Sequence, residues 1–566
     1  MQIPLDNDSL LSDLFVARVA TTPDGKAYRQ FRDGQWHDYT WAQAGREVAR
    51  YQAALRAEGF APGERVALCL RNRIEWMFFD QAALGLGLVV VPLYFGDRPE
   101  NMAYCMNDCN ARFLFIEDTA VWETLQAQVP DARAVCLNSD ARSLPRIKSI
   151  KDWLPASGSA LAQSLAKAHE LATLVYTSGT TGRPKGVMLS HRNILSNAIA
   201  SWRACSLVND TDRFLSFLPL SHMFERTVGY YLSMYVGAET VYARGIPELA
   251  EDMANQRPTI IVCVPRIFER IYARMQEGLP AGSTKRKLFE SAVAVGWRRF
   301  NHEAGFADAL AWPILKTLVA KKLHARMGGR VRLIVVGSAA LAPHLARTFI
   351  GLGLPILHGY GLTEFSPVVS ANRLDDNAPA SVGRPLEGVE IKTTPEGELC
   401  VRGPALMLGY WNNRAATEAI IDTQGWLHTG DIVRVDDDRI LITGRAKEII
   451  VMSNGEKIPP GDAEQAILMD PAFEQVMVIG EGRAHLGLIA VTKLTDTQEI
   501  CRRANAQLHA FPGYVRIHHL VRTDEAWTLE NGMLTPTLKA KRKVIETRYA
   551  VDIEAAYANP SLYRAA

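Results

Sequence analysis

The sequence predicts an α/β protein: a large N-terminal body of doubly wound sheets with a β-rich subdomain, then a smaller, mobile α+β C-terminal domain. Three observations carry this prediction. Buried-strand and amphipathic-helix patterns alternate from residue 41 to about 360, antiparallel hairpin patterns come next at 391–403 and 431–444, and the pattern changes again after Gly444. The chain has 566 residues, 48% hydrophobic and 22% charged. Such proportions exclude a disordered, collagen-like or coiled-coil protein, and the length suggests about three to five compact units.

Each element arises from local chemistry. Apolar side chains at Trp41, Ala44, Val48, Tyr51 and Leu55 have helical spacing, and Gly59 with Pro62-Gly63 stops that helix. RVALCL (65–70) reads as a buried strand, 74–84 as a helix and 88–92 as the next strand, a βαβ unit that implies a parallel sheet. Further strands are predicted at 172–176, 214–218, 260–264, 333–336 and 354–358, and helices at 193–202, 248–256 and 343–352. The small-residue stretch 157–168 reads as a surface connector. Beyond Gly444 the pattern predicts a helix near 463–469 and strands near 476–479, 488–491 and 515–518. The boundary falls at 444–447, which gives a body of 1–444, a β-rich subdomain at about 385–444, and a C-terminal domain of 445–566.

Composition narrows the function class. Sixty-three basic against sixty-one acidic side chains leave a charge of +2, so no electrostatic reason exists to expect a nucleic-acid binder or a strongly membrane-steered protein. The eight cysteines are scattered and form no zinc pattern, as expected of reduced thiols in a cytoplasmic protein. The N-terminus MQIPLDNDSL does not read as a secretory signal. The longest apolar run, 82–95, is 14 residues with two glycines and Pro92, short of the ~18–20 a spanning helix needs.

The most informative segment is YTSGTTGRPKG (176–186), hydroxyls and glycines in one short loop after a predicted strand. Glycines let backbone N–H groups turn into a concavity, hydroxyls add donors, and Lys185 supplies a point charge that a triphosphate would attract. A Walker A loop is excluded, because Lys185 lies between Pro184 and Gly186.

YTSGTTGRPKG resembles the phosphate loop of the adenylate-forming, AMP-binding enzyme superfamily. Four further motifs occur in the order that family has them: HGYGLTE (358–364), WLHTGD (426–431), GRAKEIIVMSNGEKIPP (444–460) and LTPTLKAKR (534–542). The match is most similar to long-chain fatty acyl-CoA synthetases, through ENGMLTPTLKAKR, GEKIPP and GWLHTGDI. The resemblance implies a role for each motif. Thr177, Ser178, Gly179, Thr180, Thr181, Gly182 and Lys185 would hold the phosphates of ATP. Gly337, Ser338, Gly359, Tyr360 and Gly361 would form the adenine pocket, with Tyr360 able to stack on a flat base. Thr363 would donate to a phosphate oxygen, and Glu364 is a hard oxygen ligand suited to Mg²⁺. Asp431 and Arg445 would contact the ribose, and His222 in LPLSHMFER would line the channel where carboxylate meets α-phosphate.

At the C-terminal end, the Thr-x-Ser-Gly-Lys spacing registered on TPTLKAKR selects Lys541 as the reaction lysine, with Lys539 the second candidate because the Ser-Gly pair is missing. By the same resemblance Lys447 would be the hinge, and Gly455 would lie where the pantetheine tunnel of CoA opens. Tyr230, Tyr231, Met234 and Tyr235 could wall an apolar acyl tunnel. The implied activity is that of a long-chain fatty acid–CoA ligase, forming acyl-AMP and pyrophosphate and then acyl-CoA. Alternatives are a fatty acyl-AMP ligase that loads a carrier protein, a synthetase for a shorter or aryl acid, and a non-catalytic acyl or nucleotide binder. A peripheral contact at the inner face of the membrane and a homodimer stay open; no strong amphipathic basic helix stands out in the sequence.

Overall fold

A computed structural model describes all residues except 1, 2, 7, 139–143, 178–182, 281, 447, 536–538, 560, 561 and 563–566. Two large sheets organise the body. One has nine strands among the described residues; its parallel centre comprises Glu239–Tyr242, Arg213–Ser216, Ile260–Cys263, Leu333–Val336 and Ile356–Gly361 side by side in that order. The other has eight and contains the predicted βαβ unit: Arg65–Cys69, helix Ile74–Gly85 and Val89–Pro92. The architecture is the predicted α/β class.

Burial explains the layering. Within Leu333–Val336 the side chains of Leu333 and Val335 join a core that also holds Val66, Leu68 and Val90 of the second sheet. Ile334 and Val336 join a different core with Phe289, Ala292 and Phe349 of the helices covering the outer face. A parallel strand buried on both faces is apolar at every position, which is why these strands read as continuous hydrophobic runs. The central helices lie between the sheets. One of them, His191–Ala204, starts at a capping box in which Ser190 and Asn193 bond each other's backbone N–H. Another begins with a π-helical turn, Glu225–Tyr231, leading into Leu232–Val236.

The hairpin patterns form a four-stranded antiparallel sheet of Glu390–Thr393, Glu398–Arg402, Leu427–Asp436 and Arg439–Arg445. After it, a three-stranded sheet of Gln475–Ile479, Leu486–Val491 and Ile517–Thr523 packs on helices Pro460–Ile467 and Thr497–Gln507. The last strand starts two residues later than the sequence predicts and runs to Thr523. Residues 157–168 carry no helix or strand, as predicted of a connector.

Candidate functional site

Ligands of doubly wound sheets bind beyond the carboxyl ends of the strands, where helices have not yet covered the sheet. A cavity of about 650 Å³ lies there, and its wall runs on beneath the sheet. Gly337, Ser338, Gly359, Tyr360, Gly361, Thr363 and Glu364 line it, together with Thr177, Lys185, His222, Asp431, Arg445 and Lys539. Residues far apart in the chain thus converge on one space.

Thr177 and Lys185 are paired across an antiparallel hairpin, so both ends of the phosphate-loop motif reach the cavity. Residues Ser178, Gly179, Thr180, Thr181 and Gly182 lie outside the described residues. The short strand Gly409–Tyr410 adds to the same hairpin edge and puts the Tyr410 ring 4.9 Å from the Lys185 ammonium. The Tyr410 hydroxyl donates to Glu364 Oε1 at 2.7 Å. One tyrosine therefore steadies both the phosphate-seeking lysine and the carboxylate. Tyr410 carried no motif signal, because strand pairing alone brings it there. Glu364, held by the tyrosine that also carries Lys185, suits Mg²⁺, which takes one or two carboxylates and fills its shell with phosphate oxygens and water.

Asp431 is buried. It accepts from the Tyr360 hydroxyl at 2.5 Å and from Arg445 Nε at 2.9 Å. Asp431 and Arg445 are cross-strand partners in the four-stranded sheet, so register fixes the pair. Burial, and next the Asp431 charge, push the Tyr360 phenol well above its usual range, keeping it a donor. His222 faces the cavity with its pKa lowered to about 4, first by burial and then by the Lys539 charge, so it is neutral at pH 7.

Two sequence expectations change. Lys539, and not Lys541, enters the cavity, where protein surrounds its ammonium although the side chain stays open to solvent through the cavity. Desolvation, and next the Arg445 charge, lower the Lys539 pKa to about 8. Lys541 lines a separate space of about 30 Å³ with Tyr94, Asp97 and Tyr176 and immediately precedes the helix Arg542–Arg548. The ambiguity lay in the motif: both Thr535 and Thr537 have a lysine four residues on, and only folding distinguishes them.

The second change concerns the proposed tunnel wall. Tyr230 and Tyr231 donate to Asp80 at 3.1 and 2.9 Å within a fully buried network centred on the Arg226–Asp80 ion pair. Met234 and Tyr235 belong to the core between the sheets. Val228 and Leu232, four residues apart, are the ones that line the cavity. With them stand Phe214, Ile260 and Leu333, at or near the amino ends of their strands, Val335 farther along, and Ser201, Cys205 and Val208. Leu333, Val335 and Gly337 alternate along one strand face. At about 3.3 Å per residue, the wall runs about 13 Å from the nucleotide end to an apolar floor. Gly337 has no room for a side chain, since a Cβ there would lie 2.9 Å from the Phe224 ring.

Gly455 lies at the exposed turn between Ile450–Val451 and Lys457–Ile458 with φ +86°, away from the cavity lining. Lys447 lies outside the described residues. No described helix is long and apolar enough to cross a membrane.

A deep cleft with an acid–arginine pair, a lysine and a carboxylate bridged by Tyr410, and an apolar floor suits a polyanion joined to a lipophilic group. Residues 15–411 match the AMP-binding enzyme family and residues 447–561 its C-terminal domain. The chain is 33% identical to the long-chain-fatty-acid–CoA ligase FadD15 of Mycobacterium bovis, over 94% of this chain and 95% of that one. It is 31% identical to the peroxisomal long chain acyl-CoA synthetase 7 of Arabidopsis thaliana, over 97% and 86%. Among solved structures, the anthranilate CoA ligase AuaEII with anthranoyl-AMP has the same fold, with TM-score 0.77, 22% identity, and 98% and 99% coverage. The chain belongs to the AMP-binding enzyme family.

Proposed function

We propose that this protein activates a long-chain fatty acid with ATP, releasing pyrophosphate and forming acyl-AMP, and then passes the acyl group to CoA. The observation that carries the reading is the single cavity whose mouth holds Lys185, Glu364, Asp431, Arg445 and Lys539 and whose far wall is apolar down to Leu333. The similarity to ligases named for long-chain fatty acids supports the same substrate class.

A carboxylate is a poor acyl donor, because oxide would have to leave. Attack of its oxygen on the α-phosphorus of ATP expels pyrophosphate and makes AMP the leaving group for the thiol that attacks next. Catalysis of that step is positioning and charge stabilisation. In our reading Asp431 and Arg445 fix the ribose, and Tyr360 backs the adenine. The hairpin end with Thr177 and Lys185 grips the phosphates, and Thr363 donates to a phosphate oxygen. Glu364 would hold Mg²⁺, which when bound supplies neutralising charge to the phosphates. Lys539 offers its ammonium to the charge developing between carboxylate and α-phosphate, and His222, being neutral, adds a polar contact without competing charge. Rotation of the C-terminal domain about Lys447 would withdraw Lys539 and bring the Gly455 turn to the thiol path.

The test is pyrophosphate release across carboxylates of graded length, with and without CoA, and with a phosphopantetheinylated carrier protein in its place. Long acids with CoA should turn over fastest. A preference for short or aryl acids, or for the carrier protein over CoA, would overturn the substrate assignment.

A further inference from the structure

On the outer face of the nine-stranded sheet, helix Phe306–Leu315 continues through a π-helical turn, Lys316–Ala320, into helix Lys321–Arg326. One side is packed: Leu315, Ala320 and Leu323 are buried in the core with Phe289 and Val295. The opposite side is apolar as well. Phe306 is 82% exposed, Leu310 62%, Ile314 62% and Leu318 47%. Their spacing of four places them along one stripe about 18 Å long. Single exposed apolar residues are ordinary, but a contiguous row marks an interaction surface. A helix apolar on both sides is normally buried on both.

The surroundings of the stripe are basic. Lys316, Lys321, Lys322 and Arg326 are exposed beside it or at its end. Residues 284–330 hold ten Lys and Arg against three Asp and Glu, in a chain whose overall charge is only +2. One of the three acids, Asp308, is already held by Arg298 at 2.5 Å. Lysines flanking an apolar ridge can lay their methylenes along it and extend their ammonium groups to anions.

We propose that this ridge is a peripheral docking surface for an anionic lipid leaflet. The four apolar side chains enter the headgroup–acyl boundary, and the lysines pair with lipid phosphates. The charge favours lipid over a second copy of the chain, because self-association here would set one strongly basic surface against another. The ridge lies across the sheet from the cavity, since Leu333 and Val335 face the cavity while Ile334 and Val336 face the helical layer. Docking therefore brings the protein to lipid without covering the cavity wall. The inference does not depend on which acid is activated.

The test is co-sedimentation of the full chain with vesicles of phosphatidylcholine and phosphatidylglycerol in equal parts, and with phosphatidylcholine alone. The protein should sediment with the anionic vesicles, less so at high salt. Leu310→Asp/Ile314→Asp should lower partitioning by about tenfold or more, and Lys321→Gln/Lys322→Gln by a similar factor. Unchanged thermal midpoint and ATP–pyrophosphate exchange in the variants would exclude unfolding as the cause; the lysine variant stands as the test should the aspartate pair fail to fold. The proposal is overturned if the native chain ignores anionic vesicles, or if the variants bind as well as it does. It is also overturned if sedimentation velocity without lipid reveals a dimer that Leu310→Asp/Ile314→Asp dissociates.

Discussion

The two ends of the cavity share the strand Leu333–Val336 but are built on different principles. At the carboxyl ends, Gly337, Gly359 and Gly361 line the mouth with backbone, and charged groups arrive from distant segments: Lys185, Asp431, Arg445 and Lys539. At the amino ends of Leu333–Val336 and of the adjacent strands Ile260–Cys263 and Arg213–Ser216, Leu333, Ile260 and Phe214 close the space with hydrocarbon. The mouth must place individual atoms against a polyanion, so each residue type there is demanded by chemistry. The floor need only be apolar and the right size, and many residue types satisfy that. Exchangeable parts leave no motif.

Four measurements would break or sharpen this contrast. The largest effect belongs to Lys539. Lys539→Ala should slow adenylate formation about 10²–10³-fold, the scale for losing a donor aimed at developing charge, and spare thioester formation from supplied acyl-AMP. Lys541→Ala should stay near the native rate; the reverse ranking would return the role to Lys541. As the Lys539 ammonium loses its proton on passing about pH 8, adenylation should decline on the alkaline side, and Lys539→Arg should move that decline to higher pH.

Asp431→Asn comes next. Losing a charged partner for the nucleotide and for Arg445 should raise the KM for ATP about 10–100-fold, with little change in acid preference. A shift in acid preference with an unaltered KM for ATP would place Asp431 on the wrong side of the comparison.

The floor should respond in the opposite sense. Val335→Trp should cut turnover of long acids about tenfold relative to short ones, within the ~1–3 kcal/mol that hydrophobic pocket fit supplies, while the KM for ATP holds. Equal losses for all acids would mean that Val335 does not face the acyl chain.

The smallest effect is on stability. Glu225 is fully buried at the start of the π-turn behind the floor, and it donates nothing to the nucleotide end. Its Oε1 accepts from Ser216 at 2.6 Å, Oε2 has no hydrogen-bond partner among the described residues, and burial raises its pKa to about 8. The folded chain therefore holds this carboxyl neutral where the unfolded chain ionises it, near 4.5. Its contribution to stability is full below about 4.5 and lost as pH rises through about 8. Glu225→Gln should flatten that part of the pH–Tm curve by a few °C. An identical pH dependence in the variant would mean that Glu225 is ionised in the fold.

Legibility in the sequence divides the same way. The phosphate loop stands out by its own hydroxyls, glycines and lysine, while the Gly359–Glu364 segment and the Asp431–Arg445 pair are legible only through the resemblance to the adenylate-forming family. The strands are readable because those buried on both faces are apolar throughout. Tyr230 and Tyr231 mislead because an aromatic run looks the same whether it walls a tunnel or surrounds a buried ion pair; Asp80 and Arg226 decide, and they lie 146 positions apart in the chain. The exposed stripe from Phe306 to Leu318 is hidden in the sequence for a related reason. Its helix is apolar on both sides, and sequence does not say which side a neighbour will cover.

By itself the sequence determined the α/β class, the order of the motifs and the residue types a nucleotide site requires, since backbone turns and charge chemistry act over a few residues. The tertiary structure alone decided that Lys539 reaches the cavity while Lys541 does not. It also decided that Tyr410 joins Lys185 to Glu364, and that the apolar floor lies beneath the strands. Those outcomes depend on register, layer packing and loop closure, which couple segments hundreds of residues apart and become definite only when the chain has folded.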